Sequence, residues 1–174
     1  MNNDVKSLIE CRKVITKKPH KEMYNDKQHS IYLRNDFECK SEDGKYIFSV
    51  FMRISSEIES MFSIGLRVES VNSQNGNKDH IGLTILRCNG KHEHKNSMKN
   101  KNKFNDFHVH MLEDQQFLQG QGEPIDAEPN PVYNNFNDAL RYFFTICNIS
   151  NYEQFFSIVD LRQLTIMESE NYAN

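Results

Sequence analysis

The chain has 174 residues, of which 37% are hydrophobic and 26% are charged, and its formal net charge is −3. These values argue against a largely disordered chain and exclude a protein that is basic overall, although they leave room for a locally basic surface. There is no run of about 18 apolar residues and no basic-then-apolar leader, so we expect no transmembrane helix and no signal peptide. None of the four cysteines forms a C-x-x-C pair, which favours free thiols in a reducing cytoplasm.

The first predicted element is an N-terminal helix within residues 1–18. Asp4 is a suitable N-cap, and Pro19 would end the helix. Apolar residues with helical spacing follow the cap at Val5, Leu8, Ile9 and Ile15. The polar residues 19–30 then predict a linker.

The middle of the chain, residues 31–112, predicts an antiparallel sheet of about five strands. Residues that favour β-structure are concentrated in five segments, 31–38, 46–54, 61–68, 81–88 and 104–112. Alternation is clearest in the third segment, where every second residue is apolar: Phe62, Ile64, Leu66 and Val68. Because the connections are short, a meander is the most economical topology.

The C-terminal part begins with a predicted loop at 120–131, which contains two glycines and three prolines. A helical part, 135–166, follows, with Asn135 or Asn137 as the first N-cap. Residues 152–164 fit either a helix or a strand, because short apolar runs are ambiguous. We therefore predict a single α+β domain over 1–174, with an N-terminal helix, a meander of about five strands and one or two C-terminal helices.

Four of the seven histidines lie in two H-x-H motifs, His92-Glu93-His94 and His108-Val109-His110. In a strand, residues two apart share a face, so the imidazoles of the second motif would project from one side. The opposite side would carry the apolar residues and be buried: Phe107, Val109 and Met111. A hairpin between 81–94 and 104–112 would bring the two motifs together.

Three chemistries fit this histidine cluster. His94, His108 and His110 could hold a divalent metal such as zinc, with one coordination position open for catalysis. The same three side chains, without a metal, could supply a general acid and a general base for phosphodiester cleavage. The third chemistry is binding alone, to a phosphate or to a protein partner. The alternative without function is an exposed strand that tolerates histidine.

Charge is divided sharply around the histidines. Residues 86–103 carry six basic side chains against Glu93, a balance of +5, whereas 104–128 carry six acidic side chains and no basic one. A basic loop suits a phosphate backbone, but it is also typical of a plain solvated surface. Lys99 and Lys101 are therefore candidate substrate-binding residues.

Three arginines, Arg53, Arg67 and Arg87, lie in predicted strands. A strand arginine can clamp an anion with its planar fork, although a position on the solvent face is more typical of any single one. Arg87 is the best candidate for substrate binding because it precedes the histidine cluster on the same predicted strand.

Several short motifs follow one another in a recognisable order: Leu86-Arg87, Gly90, His94-x-Asn96, His108-x-His110, Ala127 and Cys147-Asn148-Ile149. This order resembles a family of uncharacterised bacterial and phage proteins, over nearly the whole chain. More distantly, the paired histidine strands resemble small toxins of toxin–antitoxin modules. The resemblance implies a compact α+β domain and no established activity. It adds Asn96 to the substrate-binding candidates and favours a three-histidine site, since His92 has no counterpart in the family.

Two functional hypotheses follow, besides the hypothesis of a structural metal site without catalysis. The first is a small cytoplasmic bacterial or phage protein of a toxin–antitoxin or phage-defence system, acting as a histidine-dependent, nuclease-like enzyme on nucleic acid or nucleotides. The second is a non-catalytic phage-encoded inhibitor or protein-binding module. Its acidic surface, 106–128, would contact a host protein. An antitoxin or a host target is the protein partner that these hypotheses imply, and neither of them involves a membrane.

Overall fold

The computed structural model describes residues 4–27, 31–72, 78–92, 94–95, 103–120, 123–124 and 126–156, with backbone only at 72, 78–80, 94–95 and 103–104. Over these residues the chain is mostly β-structure with three short α-helices, so the predicted α+β class is confirmed in outline. The helices are α1 (Val5–Glu10), α2 (Asp114–Leu118) and α3 (Phe136–Ile146). The strands are β1 (Lys13–Lys17), β2 (Tyr24–Asn25), β3 (Tyr32–Ser41), β4 (Tyr46–Ser55), β5 (Phe62–Asn72), β6 (Lys78–Asn89), β7 (His94–Lys95), β8 (Lys103–Phe104), β9 (His108–Met111) and β10 (Ala127–Pro129).

One antiparallel sheet contains eight of the described strands. Its order is β1-β3-β4-β5-β6-β9-β10, and β2 also pairs with β3. The predicted meander is formed by β3, β4, β5 and β6, and the predicted hairpin brings β9 beside β6. Strands β7 and β8 pair with each other between β6 and β9 in the chain. The sheet is larger than the predicted five strands because β1, β2 and β10 lie in segments predicted as helix, linker and loop.

The N-terminal helix is much shorter than the predicted 1–18. Asp4 caps it as expected, since its Oδ1 accepts a hydrogen bond from the Ser7 amide at 2.6 Å, but the helix ends at Glu10. The next residues include β-branched Val14, Ile15 and Thr16, which favour extended backbone. They form β1, which pairs with β3. The helical spacing of the apolar residues therefore spans two different elements.

The predicted loop 120–131 contains an edge strand, β10, which pairs with β9. Pro129 lies at the end of β10, and an edge strand tolerates a residue that lacks an N–H. Helix α3 begins after Asn135, whose Oδ1 accepts a hydrogen bond from the Asp138 amide at 2.9 Å. Beyond it, Tyr152–Gln154 form one 3₁₀ turn, and residues 157–174 lie outside the described part of the chain.

Strand alternation gives the sheet two different faces. One face is the core, where α1 contacts β6 and α3 contacts β5 and β6. The sheet side chains on this face are fully buried, among them Phe48, Val50, Met52, Ile64 and Leu66. The other face carries polar residues of the same strands and the cleft described below. Of the helices in the described part of the chain, none is long and apolar enough to cross a membrane.

Candidate anion-binding cleft

The second H-x-H motif lies on the face of the sheet away from the helices. The rings of His108 and His110 lie on the same side of β9, with their centroids 5.0 Å apart, as the alternation predicts. Both side chains are buried, however, with only 0% and 1% of their surface exposed. Strand β9 lies inside the sheet, between β6 and β10.

The predicted burial of the opposite side of β9 is only partly correct. Phe107 and Val109 pack against the core, but Met111 is 49% exposed. Met111 borders a groove beside α1 and α3, so the helices do not cover it.

Hydrogen bonds fix the orientation of the His108 ring. Its Nδ1 lies 2.7 Å from the carbonyl oxygen of Asp106, and its Nε2 lies 3.3 Å from Nδ2 of Asn89. The Ser63 hydroxyl donates to Oδ1 of Asn89 at 2.7 Å, which directs the amide N–H of Asn89 toward His108. His108 Nε2 is then an acceptor and Nδ1 a donor, which is the neutral Nδ1–H tautomer.

His92 stands beside His108 at the end of the cleft. Its ring centroid is 4.7 Å from that of His108, and the two rings meet edge to face. His92 lines the cleft and is partly exposed, unlike the two histidines behind it. The resemblance made His92 a doubtful member of the site, whereas the structure places His92 in the lining of the cleft.

Of the remaining predicted site residues, one is described by its backbone alone and three lie outside the described part of the chain. The backbone of His94 pairs with Phe104 in the ribbon formed by β7 and β8, and its side chain is not described. Asn96, Lys99 and Lys101 lie outside the described residues.

Among the residues whose side chains are described, no group of three or more histidine, cysteine, aspartate or glutamate side chains is placed to hold a metal ion. Both ring nitrogens of His108 are engaged in hydrogen bonds, so a zinc ion at its Nε2 would displace the Asn89 amide. The predicted three-histidine metal site also includes His94, whose side chain is not described, so the metal and the metal-free alternatives both stay predictions.

A cleft of about 850 Å³ lies on the polar face of β3, β4, β5 and β6. Four arginines line it, each from a different strand: Arg34, Arg53, Arg67 and Arg87. Arg87 is the arginine that the sequence selected as the best candidate, and Arg53 and Arg67, for which both a site and the solvent face were open, line the cleft as well. The hydroxyl and amide groups of the lining come from Tyr32, Ser49, Ser63, Thr84 and Asn89. The volume is typical of a small-molecule site.

We found no matching family model, curated protein or solved structure for this chain.

Each cleft arginine has a carboxylate neighbour, but the pairs differ in closeness. Arg34 is held tightly, with its Nε 2.7 Å from Asp36 Oδ2, and this hydrogen bond raises the pKa of Arg34. In the other three pairs the shortest separation of nitrogen and oxygen is 3.3 Å or 3.4 Å: Arg53 with Asp26, Arg67 with Glu69 and Arg87 with Glu123.

Arg87 and Arg53 each keep a buried nitrogen without a hydrogen-bond partner among the described residues. In Arg87 this nitrogen is Nε, and Arg53 Nε is in the same position despite its ion pair. Burial lowers the pKa of Arg87, Glu123 opposes that shift, and the positive charge of Arg53 lowers the pKa further. The two arginines lie on the same face of β4 and β6, with β5 between them, and both line the cleft. An anion bound in the cleft between them would accept from their N–H groups.

Glu123 also belongs to the cleft. Its carboxylate accepts a hydrogen bond from the Thr84 hydroxyl at 3.1 Å, and its other oxygen lies 3.4 Å from Arg87. A second acidic residue of the 104–128 stretch, Asp114, accepts a hydrogen bond from the Val5 amide at 2.7 Å, at the start of α1. These two carboxylates form hydrogen bonds within the chain. Fewer acidic side chains of the 104–128 stretch are therefore available to contact a protein partner than its charge suggests.

Sequence reasoning missed Arg34, Ser63, Asn89 and Glu123. A usable signal did exist for part of this set, because polar residues alternate with apolar ones along β3 and β5, and Ser49 and Arg53 share the corresponding face of β4. This pattern in three neighbouring strands would have indicated one largely polar face. Nothing local marks Glu123, which reaches the cleft from the segment between β9 and β10.

Proposed function

We propose that the cleft binds the phosphate group of a nucleotide or of a nucleic-acid strand, and that His92 performs acid–base chemistry on the bound phosphate ester. The observation that carries the binding proposal is that Arg53 and Arg87 line the same cleft and that their buried Nε groups have no hydrogen-bond partner within the described residues. A phosphate offers several acceptor oxygens and negative charge, and both would match this pair.

The donors around this pair support the same ligand. Asn89 lines the cleft beside Ser63 and has two amide N–H groups, of which one points to His108 Nε2. The other N–H group could donate to a phosphate that the two guanidinium groups hold. Arg34 is less available, because its hydrogen bonds to Asp36 occupy its Nε and one terminal nitrogen.

The catalytic part of the proposal differs from the sequence argument in the residue that acts. His94, His108 and His110 were the predicted catalytic residues, but His108 and His110 are buried behind His92. We therefore assign His92 the contact with the ligand, as general acid or base. In this scheme His108 is a positioning residue, whose ring orients that of His92 edge to face.

The biological setting remains the one that the sequence suggests, a toxin–antitoxin or phage-defence system, with an antitoxin or host target as partner. The free state of all four cysteines supports the reducing, cytoplasmic location within this proposal. The internal contacts of Asp114 and Glu123 weaken the alternative of a purely acidic binding surface.

Calorimetric titration with a nucleoside monophosphate and with a short single-stranded oligonucleotide tests binding, and cleavage of the oligonucleotide tests catalysis. We expect Arg87→Gln to weaken binding about tenfold or more, since a charge-assisted hydrogen bond is lost from a partly buried site. We expect His92→Ala to lower the cleavage rate by about 10²-fold or more while binding stays within a few-fold.

Arg12→Gln is the matched control, because Arg12 is exposed and pairs only with Glu42 among the contacts described. It should bind and cleave as the unmodified protein does. Unchanged binding by Arg87→Gln would refute the anion site. Full cleavage by His92→Ala, or none by the unmodified protein, would refute the catalytic part alone.

A further inference from the structure

Phe51 places an aromatic ring in the floor of the cleft. It lies on β4, on the same face as Arg53, and Gly65 of β5 is its partner in the register. A Cβ atom added to Gly65 would stand 2.2 Å and 2.3 Å from two carbon atoms of the Phe51 ring. The ring edge therefore rests directly on the backbone of Gly65, and only glycine permits this close approach. The rest of the ring borders the cleft.

The ring lies next to the proposed phosphate site. The register continues from Phe51 through Gly65 to Arg87, so the ring and Arg87 are two strand spacings apart, about 10 Å between their Cα atoms. The Arg53 guanidinium carbon lies 5.8 Å from the Phe51 ring centroid. An apolar ring and an anion site thus share one wall of the cleft.

The cleft also carries carboxylates, and these restrict the ligand. Asp36, Glu38 and Glu69 line the same space as the arginines. A carboxylate has about four acceptor sites, so each of them keeps acceptor capacity beside its basic partner. They would repel a ligand that is anionic throughout. They would accept hydrogen bonds from hydroxyl and amino groups.

From this arrangement we propose that the ligand is a nucleotide whose base stacks on Phe51 while its phosphate binds between Arg53 and Arg87. The inference rests on the proposed function and narrows it, since a nucleotide combines an anion, hydroxyl groups and a planar ring. Base stacking on an aromatic side chain tolerates every base, so the pocket accepts nucleotides without strong base preference. Phe51 is in this view the residue that separates nucleotides from other phosphate esters.

The test compares inorganic phosphate, ribose 5-phosphate and the four common nucleoside monophosphates by calorimetric titration. We expect the nucleotides to bind about tenfold more tightly than ribose 5-phosphate, as the loss of one base stack implies. Phe51→Leu should abolish that difference and leave the affinity for ribose 5-phosphate within about twofold. Phe155→Leu is the matched control, because Phe155 is a partly exposed phenylalanine outside the cleft.

A second variant tests the inference without removing the ring. The chain contains no tryptophan, so Phe51→Trp introduces a single fluorescent reporter at the proposed stacking position. Nucleotides should quench its emission, whereas ribose 5-phosphate should leave the emission unchanged. If ribose 5-phosphate and nucleotides bind and quench equally, the inference is wrong while the phosphate site stands. If none of these compounds binds, the inference and the proposed function both fail.

Discussion

Lys13 shows how a single charged side chain joins two helices from within the core. It has 0% of its surface exposed, and its Nζ donates to the carbonyl oxygens of Ile9 at 2.7 Å, Cys11 at 2.8 Å and Cys147 at 3.1 Å. These carbonyls lie at or just beyond the ends of α1 and α3, where the helix itself provides no donor. Nζ also stands 4.8 Å from the Phe48 ring centroid. Burial lowers the pKa of Lys13, so these contacts compensate a real desolvation cost.

Lys13→Met should therefore lower the free energy of unfolding by about 3 kcal/mol, because three buried carbonyls lose their donor. Methionine has a similar length, so lost packing contributes little. Urea denaturation followed by circular dichroism measures the change. Lys17→Met is the control, since Lys17 is exposed and forms a surface pair with Glu38, for which a change below about 1 kcal/mol is expected. A Lys13→Met protein as stable as the unmodified one would contradict this role.

At the scale of elements, the contact between the end of β6 and the start of β5 determines the position of His92. Gly90 follows β6 directly, and its amide donates to the Phe62 carbonyl oxygen at 2.9 Å. A Cβ atom at Gly90 would lie 1.9 Å from the Ser60 oxygen and 2.9 Å from the Phe62 nitrogen. Backbone, rather than a flexible side chain, occupies that space, so only glycine fits at this position.

Gly90→Ala should separate the ends of the two strands and cost about 2 kcal/mol, as expected for an overpacked site. The shift should also displace His92, so cleavage should fall more than binding at the arginines. Chemical denaturation and titration with a nucleoside monophosphate measure the two effects. Gly120→Ala is a useful contrast, because no atom lies within 4 Å of its added Cβ, although its φ of +69° adds backbone strain. Equal losses of binding and cleavage in Gly90→Ala would argue against a positional effect on His92.

The strands were predictable because their signal is local. Alternation between buried and exposed residues is visible in β3, β4 and β5 without knowledge of their partners. The end of α1 was not predictable from spacing, because Ile15 fits a helix as well as the buried face of β1. Its extended backbone is selected by pairing with β3, more than 20 residues away in the chain. The edge strand β10 is likewise selected by a partner, β9, and its Gly- and Pro-rich surroundings suggested a loop.

Only those parts of the candidate site that depend on the sequence of a single strand were predictable. His108, His110 and Arg87 were named from sequence, and the register of β6 with β9 places Arg87 opposite His110. Thr84 and Arg87 are three residues apart, so strict alternation would place them on opposite faces. An irregularity in the pairing of β5 with β6 leaves Ile85 without a partner in the register. As a result, the side chains of Thr84 and Arg87 lie on the same face, and both contact Glu123. Such an irregularity has no local sequence signal, which is why this part of the site was missed.

At the scale of the whole molecule, buried thiols link stability to alkaline pH. Burial raises the pKa of Cys39 from 9.0 to about 12, and it also raises the pKa of Cys88 and Cys147. Below pH 9 the folded and unfolded states both hold these protons, so the thiols contribute no pH dependence. Between pH 9 and 12 the unfolded state releases protons that the folded state keeps, so stability falls as pH rises.

We expect each such thiol to lower the free energy of unfolding by about 1.4 kcal/mol for every pH unit above 9. Cys39→Ala removes one of them, so its stability should fall less steeply than that of the unmodified protein between pH 9 and 11. Denaturation curves at pH 7, 8, 9, 10 and 11 provide the comparison. The difference between the two proteins should be constant at pH 7 and 8 and change only above pH 9. Parallel curves over the whole range would exclude Cys39 as a source of the alkaline loss.

The alternation of the sheet also constrains how this protein can evolve. Along β4, the side chains of Phe48, Val50 and Met52 lie in the core. Phe51 and Arg53 alternate with them on the opposite face and line the cleft. Substitutions at cleft positions can change what is bound without altering the packing beneath. An insertion or deletion of one residue within the strand would instead exchange the two faces and destroy both at once. Point substitutions can therefore change the ligand preference of this fold, whereas insertions or deletions in its central strands are not tolerated.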